Sequence, residues 1–201
     1  MLNFVLDFLF PPVCVICGKI HKNWICEKCK IKIKHFEKFE YKNGMFYCFE
    51  YKDVIRKLLL QYKFFNKSYI SYFFANEIFS NKKVSEIVKS YDIIIPVPLD
   101  KEKLKIRGYN QTELILSKKL KVDSKSLIKI KHTKTQSTLT LEERRNNIKG
   151  AFKVKDNKSI KNKKVILFDD IYTTGATVNE ISNILKQAGA KEVLVLVIAK
   201  D

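Results

Sequence analysis

The stretch Val165-Ile166-Leu167-Phe168-Asp169-Asp170-Ile171-Tyr172-Thr173-Thr174-Gly175-Ala176-Thr177 constrains the fold of this chain more than any other. Four consecutive apolar residues predict a strand buried on both faces, the kind found in parallel sheets covered by helices. Such a strand aims its carboxyl end at the crevice where open α/β sheets take their ligands. Asp169 and Asp170 emerge there. Adjacent carboxylates are costly to bury unless polar groups face them, and vicinal ribose hydroxyls with Mg²⁺ nearby would satisfy both. Thr173, Thr174, Gly175, Ala176 and Thr177 then open an amphipathic helix. Their hydroxyls and backbone N–H groups, with the helix dipole behind them, favour a phosphate dianion. The ligand proposed by this order of residues is a sugar phosphate.

The surrounding texture predicts the same fold class. From residue 92 onward, short runs at Asp92 to Val97, Gln111 to Leu120, Leu127 to Ile130, Val165 to Phe168, Val178 to Ala188 and Val193 to Ala199 alternate between strand and helix character. Alternation of this kind gives an α/β domain with a parallel sheet and flanking helices. Gly189 stands where a helix C-terminus wants a left-handed residue. Upstream, Val54, Ile55, Leu58, Leu59, Tyr62 and Phe65 recur at helical spacing. Ile70, Phe73, Phe74 and Ile78 repeat the pattern, with Ser68 as the expected N-cap. Their aromatic stripes read as core rather than as a base-stacking surface.

Near the start, Cys14, Cys17, Cys26 and Cys29 have the spacing C-x2-C-x8-C-x2-C. Two such pairs bring four thiolates around one tetrahedral ion, and soft sulfur ligands select Zn over Mg or Ca. A closed four-sulfur shell leaves no position for water, so the predicted role is structural. Two disulfides are the alternative, disfavoured by the absence of a secretory signal. Gly18 suits a knuckle turn, His21 is a substitute ligand, and Cys48 reads as a buried apolar thiol.

The chain has 201 residues, 46% hydrophobic and 30% charged, which excludes disordered and fibrous classes. Its longest apolar run is too short to span a bilayer, and the expected location is the cytoplasm. Net charge is +18, and residues 101 to 160 carry 17 basic but only 6 acidic groups. A concentration of this size attracts phosphorylated ligands and nucleic acid. An A/T-biased coding sequence would also enrich Lys without any binding role. Of the basic residues only Arg56, Arg107, Arg144 and Arg145 are Arg, and three of these fall in the basic segment. The planar donor fork of Arg107, or of the Arg144-Arg145 pair, suits pyrophosphate or a DNA phosphate. His132 is expected to be exposed.

The thirteen-residue stretch resembles the phosphoribosyl pyrophosphate (PRPP) signature of type I phosphoribosyltransferases. Over nearly its whole length the chain also resembles the ComF (ComFC) competence family. That likeness rests on the cysteine pairs, Tyr62-Lys63-Phe64, Pro96-Val97-Pro98, Arg107-Gly108-Tyr109-Asn110-Gln111 and Lys131-His132-Thr133-Lys134-Thr135-Gln136. It continues through Glu143-Arg144-Arg145-Asn146-Asn147, Gly150-Ala151-Phe152 and the phosphate loop. Phe64, where glycine is common, and Lys131, where Arg is common, depart from the pattern.

The resemblance implies a zinc-binding module with a short linker at residues 1–50, then a helical lead-in and phosphoribosyltransferase-like domain at 51–201. It implies PRPP and Mg²⁺ as ligands, with Asp169 and Asp170 on the ribose hydroxyls and Thr173 to Thr177 on the 5′-phosphate. Asp169, Asp170 and Arg107 are the candidate catalytic residues. The implied process is natural transformation, the handling of incoming single-stranded DNA, with transfer of ribosyl phosphate to an acceptor left open. A phosphoribosyltransferase acting on a small base or amine and a non-catalytic DNA-binding adaptor are the alternatives. A third alternative is contact of the apolar segment Met1 to Pro12 with a competence helicase, a DNA-transport protein or the inner face of the plasma membrane.

Overall fold

A run of buried apolar residues at Val165–Phe168 needs partners on both edges and cover on both faces, and the fold supplies all four. The computed structural model describes residues 11–133 and 140–201, leaving aside the side chains of Leu141, Arg144 and Arg145. In chain order the elements are α1 (Glu27–Lys34), β1 (Glu37–Lys42), β2 (Met45–Glu50), α2 (Asp53–Phe64), α3 (Ile70–Ser80), α4 (Lys82–Lys89), β3 (Ile93–Pro96) and α5 (Lys101–Arg107). They continue with α6 (Gln111–Leu116), β4 (Leu127–Lys129), α7 (Leu141–Ile148), β5 (Phe152–Val154), β6 (Lys164–Tyr172), α8 (Ala176–Gln187) and β7 (Glu192–Lys200). Five strands form one sheet in the order β1-β2-β7-β6-β3, while β4 and β5 pair separately. All neighbours in the main sheet are parallel except β1 and β2, which form an antiparallel hairpin at one edge.

Period-two alternation divides the central strands between two cores. Ile94, Ile166, Phe168, Leu194, Leu196 and Ile198 face a layer built from α2, α3, α4 and α6. Ile95, Val165, Leu167, Val195 and Val197 face the opposite way, onto Val178, Ile181 and Leu185 of α8 and onto the small β4–β5 ribbon. Helices therefore flank a mostly parallel sheet, as the sequence predicts. Gly189 adopts φ +91° after α8.

Three local expectations change. Of the run Leu127 to Ile130, Leu127–Lys129 forms the strand β4, but it pairs with β5 outside the main sheet. Ser68 does not cap α3, whose cap position is Tyr69 with no side-chain hydrogen bond. Phe65 leaves the predicted apolar stripe because α2 ends at Phe64, and it is 62% exposed. The hairpin at Glu37–Glu50 binds β7 through β2, so a division at residue 50 falls within one hydrogen-bonded sheet. The segment Met1 to Pro12 lies outside the described residues apart from Pro11 and Pro12. Among the described residues no helix is long and apolar enough to cross a membrane.

Candidate functional site

The strand β6 outlasts its neighbour β3. Their pairing stops at Pro96↔Phe168, whereas β6 follows β7 as far as Tyr172↔Lys200. Beyond Phe168 one edge of β6 is therefore open, and Asp169 and Asp170 stand at that opening. The two prolines of Pro96-Val97-Pro98 end β3, since neither ring can donate to the ladder. A cavity of about 970 Å³ fills the space, lined by Asp169, Asp170 and the whole turn Thr173 to Thr177.

The turn itself is shaped for close approach. Gly175 has φ +74°, and a Cβ built there would collide with the Tyr172 hydroxyl. Gly175, at the N-cap of α8, has no side chain to fill the capping role, and the Thr174 hydroxyl meets the Ala176 amide at a long 3.4 Å. A phosphate can take that role.

Cations reach the carboxylates from three other elements. Lys63, at the end of α2, places Nζ 2.9 Å from Asp170 Oδ2, both side chains being largely buried. Arg107, at the end of α5, lies with Cζ 5.6 Å from the centre of the Phe64 ring. Its Nη1 is buried and has no hydrogen-bond partner among the described residues, an unsatisfied donor in the cavity wall. Phe64 thus gives the guanidinium a stacking surface where glycine would give none. Lys129, at the end of β4, donates from Nζ to Thr133 Oγ1 at 2.6 Å. Burial and the like charge of Lys103 bring its ammonium down to about 8, against the pull of Asp100 and Asp169.

The segment Arg107 to Gln111 turns out to be largely a framework for these cations. Gly108 ends α5 with φ +80°. Tyr109 stacks on Tyr62 and donates its hydroxyl to the Tyr62 carbonyl at 2.6 Å, while Tyr62 donates to the Gln111 carbonyl at 2.9 Å. Asn110 caps α6 through the Thr112 amide and donates Nδ2 to the Val97 carbonyl at 3.1 Å. These bonds fasten α2, the turn after β3 and α5 together, bringing Lys63 and Arg107 to one side of the cavity. Lys63 and Lys129 carry no role in the sequence reading. The available signals were modest: Lys63 lies inside a shared segment, and Lys129 ends a short apolar strand. Of the basic segment, Lys134 to Gln136 and the side chains of Arg144 and Arg145 lie outside what is described.

Asp169 behaves differently from its neighbour. Burial, then the charge of Asp170, push its carboxyl up to about 7, although the Asp170 amide and the cations Lys63 and Lys129 oppose the shift. The Asp170 amide donates to Asp169 Oδ1 at 2.8 Å.

At the other end of the chain Cys14, Cys17, Cys26 and Cys29 bring their sulfurs within 4.8 Å of one another. Cys17 and Cys26 are 3.8 Å apart, which is about the edge of a tetrahedron with metal–sulfur bonds of about 2.3 Å. Gly18 turns the first knuckle with φ +73°, and its amide donates to the Cys14 carbonyl at 2.8 Å. Burial alone would raise the Cys14 thiol, but backbone hydrogen bonds from Cys17, Cys26 and Ile16 lower it to about 6. Burial raises Cys29. The four sulfurs fit a closed thiolate metal site. His21 is not part of it, and its Nδ1 meets Asn23. Cys48 is fully buried in β2, away from the metal group. The knuckles dock on the helical layer through Trp24, which stacks on Tyr69 at 4.3 Å, and through a hydrogen bond from Lys57 Nζ to the Ile16 carbonyl.

Comparison with known proteins agrees with this geometry. Residues 114–201 match the model of the phosphoribosyl transferase domain. Competence protein F of Haemophilus influenzae is 31% identical and aligned over 100% of both chains. Competence protein ComFC of Streptococcus pneumoniae is 27% identical, covering 90% of this chain and 77% of that one. The DNA utilization protein YhgH of Escherichia coli O157:H7 is 37% identical over 52% of this chain and 47% of its own.

Two outcomes are expected. With its folded pKa raised from about 3.9 to about 7, Asp169 holds its proton more tightly in the native state, so stability falls as pH rises through that window. Urea denaturation of the ligand-free protein at pH 4 to 8 should show a decline that Asp169→Asn removes; parallel curves would refute the assignment. Stripping a zinc-loaded sample with a strong chelator should abolish the near-ultraviolet dichroism of Trp24, the only tryptophan. Cys29→Ser should reproduce the loss.

Proposed function

This chain belongs to the competence protein F (ComFC) family, and from that premise we propose that it binds phosphoribosyl pyrophosphate and acts in natural transformation. The observation that carries the reading is the meeting, in one cavity, of a helix start with glycine at its N-cap, an acidic pair and an unsatisfied guanidinium. The amides and hydroxyls of Thr173 to Thr177 take the 5′-phosphate. Asp169 and Asp170 hold the ribose hydroxyls, with the Lys63 ion pair keeping Asp170 in place. Arg107 and Lys129 face the pyrophosphate end, where negative charge grows as the bond to C1′ breaks. Mg²⁺ supplies further positive charge to that leaving group. In this reading the four cysteines hold structural zinc.

Single-stranded DNA is the macromolecular partner in this reading. The supporting feature is the excess of 17 basic over 6 acidic residues at 101–160, the segment that also supplies Arg107 and Lys129. Acceptors for a transfer reaction then include DNA itself, a base or an amine.

Calorimetry with phosphoribosyl pyrophosphate and Mg²⁺ should give saturable binding that weakens at least tenfold in Asp169→Asn/Asp170→Asn and in Arg107→Gln. Equal binding by all three proteins would sink the assignment. Binding of single-stranded oligonucleotides should fall steeply between 50 and 200 mM salt, with a logarithmic slope of about −0.7 per phosphate contact. A flat response would remove DNA as a partner.

A further inference from the structure

Asp100, Glu102 and His132 converge near the mouth of the cavity. Asp100 is the N-cap of α5. Its Oδ1 accepts the amides of Glu102 at 3.0 Å and Lys103 at 3.1 Å, which accounts for one oxygen. The other is unaccounted for. Asp100 is only 4% exposed, and no donor among the described residues makes a hydrogen bond to Oδ2. His132 Nδ1 is 3.0 Å from that oxygen, without the alignment of an N–H donor. The same nitrogen lies 3.2 Å from Glu102 Oε2. The nearby ammonium groups are engaged elsewhere: Lys103 donates to the Thr133 carbonyl and Lys129 to the Thr133 hydroxyl.

A buried carboxylate oxygen with no donor is costly, and native structures rarely leave one so. An ion resolves the arrangement better than a proton does. Bonds of about 2.0 to 2.2 Å to N and O donors separate adjacent ligands by about 2.8 to 3.6 Å at right-angled or tetrahedral geometry, which spans both spacings around Nδ1. We infer that Asp100, Glu102 and His132 form a binding site for a divalent first-row transition ion, distinct from the four-cysteine centre. The imidazole selects such an ion over Mg²⁺ or Ca²⁺. Glu102 and His132 are exposed and line the cavity, so remaining coordination positions open toward water or an incoming oxyanion. The ion would clasp the start of α5 to the loop after β4. Arg107 ends α5, and Lys129 ends β4 just before that loop, so the clasp sets the spacing of two cationic walls. The inference rests on these three side chains, whatever the cavity binds.

The test uses the full, tag-free chain with zinc already loaded on the cysteines, titrated with Mn²⁺ and followed by electron paramagnetic resonance. The expected result is one bound ion carrying ¹⁴N coupling from an imidazole. His132→Gln should abolish the coupling. Asp100→Asn, which keeps the helix cap, and Glu102→Gln should each weaken binding at least tenfold. Asp169→Asn/Asp170→Asn should leave the nitrogen-coupled signal intact. Absence of nitrogen coupling at millimolar Mn²⁺, or coupling that survives His132→Gln, would overturn the proposal.

Discussion

The ion pair between Lys63 and Asp170 joins the two halves of the structure. Two adjacent carboxylates at the open end of a strand repel each other, and a fold can keep them there only by surrounding them with cations it can position. Lys63 comes from a helix of the N-terminal layer, Arg107 and Lys129 from the segment after β3. None of these positions is set by the strand that carries the acids. Lys63 and Arg107 are set by hydrogen bonds among Tyr62, Tyr109, Asn110, Gln111 and Val97, and Lys129 by the pairing of β4 with β5. Much of the sequence between residues 62 and 112 is explained as the scaffold that brings charge to β6.

The same layering explains why the cysteine knuckles are not an ornament on the surface. Cys14, Val15, Ile16, Ile25 and Cys29 belong to the same buried cluster as Leu58, Leu59, Phe74 and Leu196. A metal held by the four sulfurs therefore stabilises more than its own short loops. It also fixes one side of the helical layer whose far end holds Lys63.

Legibility in the sequence followed the range of the interactions. The strand β6, its acidic pair, the threonine turn and α8 are one continuous stretch with strong local patterning, and all were readable. The cysteine pairs were readable because ligand spacing is a local property. The hairpin β1–β2 was not, because β1 buries only Phe39 and β2 is buried at five successive positions, so neither alternates as a half-exposed strand does. Lys63 and Lys129 could not be separated from the many other lysines, since what distinguishes them is burial beside Asp170 and Thr133, contacts 107 and 4 residues away. Phe65 followed helical spacing yet lies past the last turn of its helix, where periodicity no longer reports orientation.

The middle of the main sheet is occupied by β7, which spans Glu192–Lys200 and separates β2 from β6. During synthesis on the ribosome, every other described strand emerges before this one, and the pairs β1–β2 and β3–β6 can form early but cannot be joined to each other. The nascent chain must hold Val165–Phe168 and Met45–Phe49 apart and unjoined until residue 192 and beyond have been made. Closure is then a late, long-range event that arrives all at once, and a polypeptide halted short of β7 has two apolar flanks with no keystone between them.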